Sequence, residues 1–184
     1  MPSLRAGLTR KLTFSAMFVA LLSVCSWISV PAPVPFTLQT FGVFCTLGLL
    51  GGKWGTRAIA AYLLLGAAGA PVFAGWKGGL GALFGATGGY LVGFLLCALL
   101  YRLIMAHGGG AWRQGIALWL GLAGCYGFGS LWYFLVYSGD APLSFAAVFT
   151  ACVAPFLLPD LLKLALALVL IRRLRPRLGP LLAG

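Results

Sequence analysis

Acidic side chains are almost missing from this chain: of 184 residues only two are Asp or Glu and one is His, against thirteen Lys and Arg. The single histidine, His107, sits in a gap between apolar runs, so Ser130 in Gly127-Phe-Gly-Ser130 has no base to activate it and a serine-hydrolase reading fails. Clusters of His, Cys and carboxylate are equally absent, which leaves no metal site, catalytic or structural. The five cysteines, Cys25, Cys45, Cys97, Cys125 and Cys152, lie inside apolar stretches with no CxxC pair and read as small buried hydrophobes. No segment ends in the Gly-Lys-Ser/Thr of a phosphate loop, so no ATPase is expected here. The chain is not read as an enzyme, and no cofactor is expected. Charged residues make up 8% of the total, where soluble domains carry about 25%.

What fills the space instead is apolar: 61% hydrophobic residues and a mean hydropathy of +1.03. The solvent of this chain is lipid. Its length allows about six spans of roughly 20 residues and no separate soluble domain, so residues 1–184 read as one transmembrane domain. Apolar runs give spans near 12–30, 38–52, 57–74, 86–105, 115–137 and 145–174. The first run follows Arg5, Arg10 and Lys11 like a secretory signal, but it is too long for an h-region and is read as the first span.

The net charge of +11 would indicate nucleic acid in a soluble protein. Here the basic residues sit between spans and report topology. Arg5, Arg10 and Lys11 precede the first span; Lys53 and Arg57 fill the second gap; Arg102 and Arg113 flank the fourth; Arg172, Arg173, Arg175 and Arg177 follow the sixth. Both termini are therefore expected inside, in a multi-pass protein of the cell's inner (plasma) membrane. Eleven of the thirteen basic residues obey this rule. Lys77 and Lys163 do not.

Three segments depart from simple spans. Residues 38–52 would cover about 22 Å as a helix, less than the hydrocarbon core of about 30 Å. Gly75 to Gly93 holds eight glycines in nineteen residues, which suits either close helix packing at Gly81/Gly85 and Gly89/Gly93 or a loop whose backbone approaches a ligand. In Ala154-Pro-Phe-Leu-Leu-Pro-Asp-Leu-Leu-Lys163 two prolines interrupt the last span, and regular helix is expected to start near Pro159.

Asp160 and Lys163 then fall in the first turn of that helix, three residues apart on one face. A charged pair inside the membrane is costly and marks either a functional site or an ion pair that pins two helices. In a first turn, free backbone donors would face the same cavity. Lys77 reads as a rim residue reaching for water beside an anchoring Trp76, His107 as a solvated loop residue, and Asp140 as part of an exposed outer loop. Ala16 and Ala20, one helical turn apart, allow another helix to approach closely, whether from this chain or from a partner.

Four segments taken together resemble the BioY family, the biotin-binding S components of energy-coupling factor (ECF) transporters. They are Val34-Pro-Phe-Thr-Leu-Gln-Thr-Phe-Gly42, Tyr62 to Gly75, Gly78 to Tyr90, and Pro155-Phe-Leu-Leu-Pro-Asp-Leu-Leu-Lys163. The resemblance implies a six-helix S-component fold and high-affinity biotin uptake, with a pocket near the outer surface closed by the loop between the first two helices. It implies that Asp160 meets the ureido N–H groups of biotin and that Lys163 meets either the ureido carbonyl or the valerate carboxylate. The loop from Val34 to Thr40, with Gln39, matches the lid, and Phe73, Gly79 and Tyr90 match the pocket wall. Trp76 stands where some members carry a polar residue, so a ureido contact is not carried over to it. Ala16 and Ala20 match the surface that packs on the transmembrane coupling subunit, which works with two ATPase subunits. Two other classes remain open on the residues alone: a proton-coupled carrier using Asp160, and a structural membrane subunit without a ligand.

Overall fold

The computed structural model describes residues 2–30, 36–137 and 144–183, and it is helical nearly throughout. Helix α1 (Pro2–Trp27) leads into strand β1 (Ser29–Val30), which pairs antiparallel with β2 (Phe36–Thr37) in the register Ser29↔Thr37 and Val30↔Phe36. Of the expected lid, Val34 and Pro35 lie outside the described residues, as does Asp140. The chain continues through α2 (Gln39–Ala67), a single 3-10 turn (Ala74–Trp76), α3 (Leu80–Leu83), α4 (Gly88–Ile104), α5 (Ala111–Tyr137), α6 (Phe145–Cys152) and α7 (Ala154–Ala183).

The second and third expected spans are the two arms of α2. Gly51, at φ 75° and ψ 170°, breaks the helix, a conformation that glycine adopts without steric cost. A straight helix would put Gln39 and Tyr62 about 34 Å apart. Instead the Gln39 Nε2 donates to the Tyr62 hydroxyl at 2.7 Å, so the arms fold back on each other. The reversal happens at Gly51 itself rather than in a loop over 53–56. The second arm also ends at Ala67, seven residues before the expected boundary.

The last expected span is likewise divided, but at Val153 rather than at Pro159. Helix α6 is capped by Ser144, whose hydroxyl accepts from the Ala147 N–H at 3.2 Å. Helix α7 starts at Ala154, which puts Pro155 in the first turn, where a missing donor costs nothing. Pro159 forfeits one intrahelical bond and is tolerated. Asp160 and Lys163 are thus in the second and third turns, out of reach of the free backbone donors that a first-turn position would have supplied.

Glycine shapes the packing of α4 on α5. A Cβ on Gly89 would lie 2.3 Å from the Trp132 Cβ, and one on Gly93 would lie 2.8 Å from the Cys125 Sγ. From the other side Gly121 faces Cys97 and Gly129 faces Tyr90, so the two helices meet at backbone distance. Gly81, inside α3, has open space where its Cβ would be and takes no part in that packing.

Among the described residues three helical segments are long and apolar enough to cross a membrane: Gly7–Trp27, Ala111–Val136 and Ala154–Gly179. Gly88–Ile104 is a shorter apolar helix. Leu158, Leu162 and Leu166 on α7 are 60–70% exposed, an apolar face that water would penalise and lipid accepts.

Candidate functional site

A cavity of about 670 Å³ opens between the first turns of α2, the loop of residues 73–87, α4, α5 and α7. That is within the usual range of small-molecule sites, roughly 300–1,000 Å³. Its walls carry Phe73, Tyr90, Phe94, Tyr126 and Phe156, and its polar groups include Gln39, Thr40, Lys77, Asp160 and Lys163.

Asp160 and Lys163 form the polar centre. Three residues apart on α7, they meet at 2.7 Å between Nζ and Oδ1, and both are under 10% exposed. The same carboxylate oxygen accepts from the Thr40 hydroxyl at 2.9 Å, and Oδ2 accepts a short hydrogen bond from the Tyr126 hydroxyl. Three donors on two oxygens leave Asp160 room for about one more. Lys163 also donates to the Thr37 carbonyl at 2.6 Å and points its ammonium at the Phe36 ring, 4.0 Å from the centroid. The pair therefore reaches across to β2 and ties the Phe36–Thr37 segment to α7.

Gln39 braces the start of α2. Its Oε1 accepts from the Thr37 hydroxyl at 3.2 Å while its Nε2 holds Tyr62. The Tyr62 hydroxyl donates to the Val72 carbonyl at 2.9 Å, and the Ser26 hydroxyl donates to the same carbonyl at 2.6 Å. The end of α1, the start of α2 and the loop after α2 are thereby one hydrogen-bonded unit. Phe73, 2% exposed, packs edge-on against Tyr62 with centroids 5.5 Å apart. Tyr90 shares a 3.3 Å hydrogen bond with Ser130. Every buried side-chain N or O atom among the described residues has at least one partner, so the polar centre is already ordered and a ligand meets it at the remaining acceptor capacity of Asp160 or by exchanging bonds. No three His, Cys, Asp or Glu side chains come together among the described residues.

Of the residues singled out in the sequence, Asp160, Lys163, Gln39, Phe73 and Tyr90 line this one cavity. Gly79 is not part of the lining. Its N–H donates to the Gly66 carbonyl at 2.7 Å and its φ of 86° turns the chain into α3; Gly78 and Gly81 line the cavity instead. Ala16 and Ala20 are exposed on α1, on the face away from buried Phe18, Val19 and Leu22. Sequence reasoning passed over Tyr126, the second anchor of Asp160. The available signal was a phenol in mid-span, since a buried tyrosine hydroxyl needs a partner. Lys77, read as a rim residue, is part of the lining.

The model of the BioY family matches residues 1–180. The Biotin transporter BioY of Thermotoga maritima is 42% identical over 171 residues, which cover 90% of this chain and 96% of that protein. The Probable biotin transporter BioY of Pyrococcus horikoshii is 38% identical over 167 residues, with 90% and 96% covered. Among solved structures, the crystal structure of an S-component for biotin from an ECF-type ABC transporter superposes with a TM-score of 0.80 at 28% identity, covering 91% of this chain and 92% of that one. With its polar pair, its cavity and a match over nearly its whole length, this chain belongs to the BioY family.

Proposed function

We propose that this protein is the membrane-embedded biotin-binding subunit of an ECF-type uptake system. The observation that carries the reading is the Asp160–Lys163 pair at the wall of an aromatic cavity. Biotin presents a neutral urea, with two N–H donors and one carbonyl, fused to an apolar sulfur ring. A carboxylate and an ammonium held side by side complement that urea: Asp160 accepts from N–H and Lys163 donates to the carbonyl, and no net charge is buried with the ring. Phe73, Tyr90 and Tyr126 supply apolar walls for the bicycle.

Six crossings follow if the two arms of α2 count separately and α6 joins α7. Both termini then face the cytoplasm of a plasma membrane. This orientation is supported by where the basic gaps converge. The Arg10 guanidinium donates to the Leu181 carbonyl at 3.3 Å, a Cβ on Gly52 beside the α2 break would touch Arg102, and Gln114 at the start of α5 donates to the Gly48 carbonyl at 3.3 Å. The cavity lies at the opposite end of the bundle, toward the outside. Ala16 and Ala20 offer a flat strip to the coupling subunit, which two ATPase subunits would drive. Labelled biotin should bind the detergent-purified chain saturably, near one site per chain. Absence of saturable binding would sink the proposal.

A further inference from the structure

Among the described residues, three charged side chains line the cavity: Asp160, Lys163 and Lys77. The first two neutralise each other at 2.7 Å, and Asp160 is the sole carboxylate among the described residues. Among the described residues Lys77 therefore leaves the lining one positive charge in excess. We infer that Lys77 anchors the carboxylate of the ligand and makes the site selective for the free acid over neutral analogues. The inference rests on the biotin reading and concerns the half of the molecule that the urea-binding pair does not reach.

Charge and solvation assign the carboxylate to Lys77 rather than to Lys163. An anion brought to the Lys163 ammonium would sit beside the Asp160 oxygens, and two carboxylates at one site oppose each other's ionisation. It would also have to displace the Thr37 carbonyl at 2.6 Å and give up its water in a place where Lys163 is 8% exposed. Lys77 is exposed, so an anion beside it keeps part of its hydration shell.

The local backbone fixes where the Lys77 side chain leaves the chain. Phe73 and Lys77 close a tight turn, with the Phe73 N–H donating to the Lys77 carbonyl at 2.9 Å. Between them Gly75 and Trp76 both take positive φ, 68° and 59°, and for tryptophan that region is disfavoured. Strain of this kind persists only where surrounding contacts enforce it. Here the Trp76 ring stacks on Trp27 with centroids 4.1 Å apart and planes 14° off parallel, and the Trp27 indole donates to the Pro71 carbonyl at 2.8 Å. The turn brings the Lys77 stem back across Gly75, its Cε 3.9 Å from where a Cβ on that glycine would be. Gly75 is itself part of the lining, so the lysine lies along the cavity wall.

The test compares biotin with biotinamide, which keeps the bicycle and lacks the charge, by titration calorimetry on the full detergent-purified chain. The unaltered protein should prefer the acid by about tenfold, the scale of one partly solvated charge-assisted bond. Lys77→Met should remove that preference by weakening biotin about tenfold while leaving biotinamide unchanged, which also shows that the urea end is intact. Lys77→Arg should restore it. A Lys77→Met protein that still prefers the acid, or one that loses acid and amide equally, overturns the inference alone. An unaltered protein that binds neither compound overturns the biotin reading, and this inference with it.

Discussion

Asp160→Asn separates the two roles of the carboxylate, in holding Lys163 and in meeting a ligand. At an effective dielectric of about 20, unit charges at the 2.7 Å of this pair attract with about 6 kcal/mol before the cost of desolvating them. Removing one partner of such a buried pair costs about 3–5 kcal/mol, because the other charge is left without compensation. The asparagine keeps the shape and one acceptor but turns an amide donor toward a centre where Lys163, Thr40 and Tyr126 already donate. The ligand-free protein should therefore melt several degrees lower in a detergent thermal-shift assay. The affinity for biotin should fall by the value of a hydrogen bond to a charged group, about 1.5–3 kcal/mol, or about 10- to 150-fold in Kd. Combining Asp160→Asn with Lys163→Met removes the orphaned charge, so melting temperature should recover while binding does not. Biotin binding within twofold of the unaltered protein in Asp160→Asn would refute the ligand role. A double variant no more stable than the single one would refute the account of the ion pair.

Tyr126→Phe removes one of three donors to Asp160 and should weaken biotin binding by about 5- to 10-fold, on the order of 1 kcal/mol, measured by the same titration. Gly66→Ala would place a Cβ 2.0 Å from the Phe73 Cζ. The ring must then swing into the cavity, with about tenfold weaker binding expected, and Phe73→Leu in the same chain should recover part of the loss. Ala16→Leu with Ala20→Leu fills an exposed strip of α1 that no helix of this chain covers among the described residues. Binding to the purified chain should stay within twofold, while uptake by cells carrying the coupling and ATPase subunits drops at least tenfold. Equal uptake would remove the strip from the coupling interface.

The parts of this protein that were legible in its sequence are those where a residue is expensive in its surroundings. A charge in an apolar run stands out because lipid penalises it whatever the fold, and Asp160 and Lys163 were found that way. Hydroxyls carry a smaller penalty and betray no partner. Tyr126 meets Asp160 across 34 positions of sequence, and only the packing of α5 against α7 brings them together. Boundaries failed for a related reason. Hydropathy averages over a window, whereas the α2 reversal is made by Gly51 alone, and a single residue at positive φ leaves no trace in such an average. In the sequence the two prolines near Asp160 stand as two interruptions. In the helix they are one, because a start at Ala154 puts Pro155 where no donor is needed and leaves only Pro159 to cost a bond. Lys77 shows the limit of charge counting most clearly. As a basic residue on the outer side it looked like an exception that had simply reached water. It does reach water, but the turn at Gly75 and Trp76 also lays its stem along the cavity wall, and that second role depends on a strained backbone conformation invisible to composition.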